Sequence, residues 1–156
     1  MVQLTQEAVK EKVTAAIEVL YQRDTYLLQT DVNERSISHK LASYLQEAFS
    51  DWDVDCEYNR NHDDPELLKH LQISAEDVSP DDVQARTVFP DIIVHHRGTS
   101  DNLLVIEIKK TTNQLSDDFD KQKLREFKRQ LGYCYALFLR FQTGCEVIGV
   151  KTEKWI

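Results

Sequence analysis

Asp91, Glu107 and Lys109 are where this sequence offers chemistry: two carboxylates and an ammonium set inside runs that are otherwise apolar and β-branched, FPDIIVHH and NLLVIEIKK. An ionised group on a covered strand is costly unless it is paired, hydrogen-bonded or bound to a metal, so three together ask for a reason. Side chains alternate along a strand, which puts Glu107 and Lys109 on one face. The intervening RGTSDN is turn chemistry, so the two runs read as a β-hairpin. A five-residue connection, 97–101, sets Asp91 opposite Glu107; a register two places further sets it opposite Lys109. Either way the three side chains converge. Two carboxylates about 5 Å apart suit one hard divalent cation, with the lysine in reach of a water or a phosphate oxygen. The competing reading is a surface pair of Glu107 and Lys109 on a purely structural sheet, but both strands are too apolar for a wet face.

The elements that must position this trio follow from periodicity. A first helix, 5–21, carries the stripe Val9, Val13, Ile17, Leu20 and Tyr21, with Thr5 as its cap. Residues 26–28 either extend it or turn. A second helix, 33–49, buries Ile37, Leu41, Tyr44, Leu45 and Ala48, and Glu34 falls on the same inward stripe, three residues before Ile37. Asp31 and Glu34 also have capping-box spacing, so Glu34 is expected either to close the helix start or to face the trio. Ser38 and His39, one turn on, border the same opening. A strand at 52–59 ends near Arg60, a candidate phosphate contact that would otherwise pair with a nearby acid. A helix at 116–131 has the core stripe Leu124, Phe127 and Leu131 and a basic outer face, with Lys123 nearer the sheet. Gly132 stops it, and strands at 133–141 and 145–151 follow.

The chain has 156 residues and a net charge of −8. The length suits one domain, 1–156, with a real core. Residues 61–86 are acidic and read as an inserted, solvated flap that accounts for much of the negative excess. Its acids either are simply solvated or gate a groove. The overall charge argues against a protein that coats nucleic acid indiscriminately, although not against a local basic groove. The three cysteines, Cys56, Cys134 and Cys145, lack metal-ligand spacing and are expected as reduced thiols. No apolar run approaches a membrane span and no secretion signal is legible, so a soluble, cytoplasmic protein without membrane contact is expected.

Pro90-Asp91, followed after a gap by Glu107-Ile108-Lys109, resembles the signature of the PD-(D/E)XK nuclease superfamily. The expected order of helix, three strands, helix and strand is similar to its αβββαβ core over about two-thirds of the chain. The resemblance implies an α/β, restriction-endonuclease-like fold: a central mixed sheet flanked by helices, here with an extra N-terminal helix and the acidic insertion. It further implies that Asp91, Glu107 and the backbone carbonyl of Ile108 hold Mg²⁺ or Mn²⁺, that Glu34 matches the helix acid many members add, and that Lys109 orients the attacking water. The reaction implied is phosphodiester hydrolysis of nucleic acid, DNA ahead of RNA, with Arg60, Lys110 and Lys123 as candidate backbone contacts. A homodimer or a partner protein is compatible. The alternative is a non-catalytic adaptor on the same fold that holds a protein or nucleic-acid partner.

Overall fold

The computed structural model describes residues 4–58 and 89–156; Arg60 and the expected flap at 61–86 lie outside them. Helix α1 (Gln6–Arg23) starts where the Thr5 hydroxyl accepts the Ala8 N–H at 3.3 Å, and it buries Val9, Val13, Ala16, Ile17 and Leu20. A break at Asp24 separates it from the five-residue α2 (Thr25–Gln29), so 26–28 neither simply extends α1 nor is only a turn. Helix α3 (Glu34–Ala48) buries Ile37, Leu41, Tyr44 and Leu45 as the stripe predicts, while Ala48 is only half-buried.

The sheet has five strands in sequential order: β1 (Asp53–Cys56), β2 (Ile92–His95), β3 (Asn102–Lys110), β4 (Tyr135–Gln142) and β5 (Gly149–Trp155). All neighbours are antiparallel except β3 and β4, which run parallel. A parallel neighbour requires a crossover, and α4 (Asp118–Leu131) supplies it. The fold is thus α/β, a mixed sheet flanked by helices, with α3, β1, β2, β3, α4 and β4 in the expected order.

Each face of β3 is covered by a different layer. Leu104, Ile106 and Ile108 join α1 and α3 in the larger core, with Ile92 and Val94 beside them. Val105 on the other face joins Ile93, Leu124, Phe127 and Phe138 under α4. The apolar run from Leu103 to Ile108 suits this double burial; Glu107 and Lys109 are the charged exceptions, and both are buried. Truncating a core aromatic such as Phe127 to alanine would cost about 3–5 kcal/mol.

Two expectations need correction. The last strand is Gly149–Trp155, not 145–151: Leu137 pairs with Trp155 and Phe138 with Lys154, leaving Cys145 in the turn and Val147 exposed. Trp155, half-buried, packs against the larger core together with Val150. The capping box is also not formed. Asn33 caps α3, its Oδ1 accepting the Ser36 N–H at 2.8 Å. Asp31 instead adopts a left-handed conformation (φ 55°) and accepts from Thr112 and Thr143 at 2.9 and 2.8 Å, tying the α2–α3 turn to the ends of β3 and β4. Among the described residues no helix is long and apolar enough to cross a membrane.

Candidate functional site

The hairpin takes the first of the two registers open to the sequence. Ile92 pairs with Ile106 and Ile93 with Val105, which sets Asp91, just before β2, opposite Glu107. Asp91 reaches over the strand end: its Oδ2 accepts the Ile108 N–H at 2.7 Å. Glu107 and Lys109 point to the α4 side, where Lys123 meets Glu107 Oε2 at 2.8 Å and Asp120 meets Lys109 Nζ at 2.5 Å. Lys109 also donates to the Ser116 carbonyl at 2.9 Å.

A cleft of about 560 Å³ opens at this end of β3, lined by Glu34, Asp91, Glu107, Ile108 and Lys109 among others. The structure therefore brings together every residue expected at the centre of the site. Glu34, the first residue of α3, enters from the opposite helical layer, and Asn113, in the segment after β3, donates to its Oε1 at 2.7 Å. That segment is pinned in turn by Arg140, which bonds the carbonyls of Lys110 and Asn113 and the carboxylate of Asp117.

The electrostatics of the two central carboxyls are unusual. Burial, then the charge of Asp91, pushes the Glu107 carboxyl well above the usual range; Lys123 offsets only part of this. Burial likewise raises Asp91, against the pull of the Ile108 N–H and Lys123. Glu107 is 1% exposed, and its Oε1 has no hydrogen-bond partner among the described residues. A buried carboxylate oxygen left open beside a second carboxyl is a place for a proton or a cation.

The cleft lining carries five carboxylates, with Asp118 and Asp120 added to those above, against the ammonium groups of Lys109 and Lys123. Each of those ammonium groups is already bonded to a carboxylate. Lys110 faces Asp31 at 3.1 Å; Lys121, over the buried Phe138 ring, is bound to Asp117, and Arg129 on the outer face of α4 to Glu126. Lys123, expected at the nucleic-acid surface, is thus a buried member of the carboxyl cluster.

Asp120 and Asn113 are the residues that sequence reasoning passed over. A signal existed for Asp120, which stands four residues before Leu124 and seven before Phe127, on the buried stripe of α4 rather than its solvated side. Asn113 had none, since only the fold of the segment after β3 carries it to Glu34.

The donor chemistry suits a small hard cation. Mg²⁺ is held by one or two carboxylates and completes its shell with water, which is the set that Asp91 and Glu107 offer. Among the described residues no group of three or more His, Cys, Asp or Glu side chains is arranged to hold a metal, and Glu34 is bonded to Asn113. The fit therefore rests on the carboxyl pair and the open Glu107 Oε1.

No protein-family model, curated protein or solved structure matches this chain.

Proposed function

We propose that the protein is a metal-dependent nuclease with a restriction-endonuclease-like core, hydrolysing phosphodiester bonds in nucleic acid. The observation that carries this reading is the Asp91–Glu107 carboxyl pair, Glu107 buried and Asp91 half-buried, with one oxygen open and Lys109 on the same face of the sheet as Glu107. Asp91 and Glu107 would hold Mg²⁺ or Mn²⁺, with the Ile108 carbonyl as a third oxygen ligand. When bound, the cation lowers the pKa of water and neutralises charge on the phosphate. Lys109, steadied by Asp120 and Ser116, orients the attacking water and stabilises developing charge, while Glu34 borders the same space. The water oxygen attacks phosphorus and gives up a proton to solvent, the ester P–O bond breaks, and the leaving oxygen takes up a proton from solvent.

The acid excess also means that, among the described residues, the cleft lining brings little positive charge of its own to a phosphate backbone. Cleavage is expected only with a divalent cation present, and binding should show a shallow salt dependence for want of Lys and Arg phosphate contacts. That same excess favours the second reading, a non-catalytic adaptor on this fold, since both lysines in the cleft lining are already paired.

The test is incubation of the full chain with single-stranded, duplex and branched DNA and with RNA, with Mg²⁺ or Mn²⁺, beside Asp91→Ala and Lys109→Ala. Wild-type cleavage should fall at least about 100-fold in either variant. Cleavage that survives both substitutions would reject the site, and no cleavage by any form on any substrate would favour the adaptor.

A further inference from the structure

Both central carboxyls are tethered through one oxygen. Asp91 is held at Oδ2 by the Ile108 N–H, 2.7 Å away, and Glu107 at Oε2 by the Lys123 ammonium, 2.8 Å away. Glu107 Oε1 is left without a partner among the described residues, although the side chain is almost fully buried. Lys123 itself is 9% exposed, extended from the middle of α4, so its tether is built into the helix–sheet packing and is not a passing surface contact.

The geometry points to Lys123 as a positioning residue for the divalent cation: it fixes Glu107 through the far oxygen so that the near one is presented to a metal shared with Asp91. The inference rests on the metal-binding reading above and assigns Lys123 a task other than contact with a phosphate backbone. Hydrogen-bonded partners behind metal-binding carboxylates fix their orientation, and losing one typically weakens metal binding about 10–100-fold. Simple charge repulsion makes the opposite demand. An ammonium beside a cation site disfavours a second cation, so deleting it would tighten binding. The sign of the effect separates the two.

The experiment measures Mn²⁺ binding by calorimetry and by the spin resonance of free Mn²⁺, with no substrate present. Wild type is compared with Lys123→Met, which keeps the length and loses the donor, and with Lys123→Arg, which keeps charge and donors. Asp91→Asn reports whether the bound ion is at this site. Lys123→Met should bind Mn²⁺ about 10–100-fold more weakly and Lys123→Arg within about threefold of wild type. Equal or tighter binding by Lys123→Met overturns the positioning role. If Lys123→Met does not fold, Lys123→Gln takes its place: weaker binding than Lys123→Arg supports the inference, and equal or tighter binding overturns it. Wild-type binding that is absent, or untouched by Asp91→Asn, defeats the metal-binding reading itself and is distinguishable from either result.

Discussion

Strand β2 carries a cluster of ionisable groups at each end, about 13 Å apart by strand rise. At the far end, Asp55 accepts two bonds from Arg97, at 2.8 and 2.6 Å, and shares a third with buried His95 at 2.9 Å. Burial works to raise the Asp55 carboxyl, but the bonds from Arg97 and His95 outweigh it and hold the group below its ordinary range. At the near end burial wins: it raises both Asp91 and Glu107, with the charge of Asp91 adding to the rise of Glu107 and that of Asp120 to both. The first cluster is closed, each charge answered within the fold. The second has a deficit of positive charge and an open oxygen, which is what separates a binding site from a brace.

The largest test of that contrast is stability at pH 8. Asp55→Ala removes a partly buried partner of Arg97 and His95 and should cost about 2–3 kcal/mol, lowering Tm by roughly 5–10 °C. Asp91→Asn relieves repulsion while keeping an acceptor for the Ile108 N–H, so it should leave stability unchanged or raise it. Equal destabilisation by the two would erase the distinction.

Next comes the response to metal. Mn²⁺ at about 100 times its dissociation constant should stabilise wild type by about 2.7 kcal/mol, visible as a rise of several degrees in Tm, and should do nothing for Asp91→Asn. The Asp55→Ala protein, if folded, should still respond.

The dependence on pH should be smaller and opposite at the two ends. Carboxyls raised by folding favour the native state at acidic pH, and that contribution is lost as pH climbs from the ordinary carboxylate range through their folded values. The metal-free wild type should therefore lose stability relative to Asp91→Asn as pH rises above about 5, by on the order of 1 kcal/mol for each tenfold difference in proton affinity between the folded and unfolded chain. Asp55, being lowered, contributes stability that is present above its ordinary value and disappears as pH falls through its folded one. Urea titrations across pH read both. Mn²⁺ binding should strengthen over the same rise, since the ion displaces the proton.

The smallest effect expected is that of Asn113→Ala. It frees Glu34 without opening the core, so cleavage should change a few-fold in kcat with stability within about 1 kcal/mol of wild type.

The sequence narrowed Asp91 to two registers, opposite Glu107 or Lys109, because the buried face rejects a one-residue slip; the pairing of Ile92 with Ile106 chose the first. Glu34 was legible for a similar reason, as a helix acid on an apolar stripe. The final strand was not: Cys145 to Ile148 is more apolar than Thr152 to Trp155, yet the latter pairs, with Val150 and Trp155 both packed on the larger core.

The local pattern of the chain thus determined which acids and which lysine share a face of β3, since alternation is a property of the backbone. Tertiary structure alone decided how their charges are answered: that Lys123 rather than Lys109 meets Glu107, that Asp120 holds Lys109, and that Asn33 rather than Asp31 caps α3. Those outcomes depend on how far and at what rotation α3 and α4 sit against the sheet, which is set by the packing of Ile37, Leu41, Leu124 and Phe127 and by no short stretch of sequence.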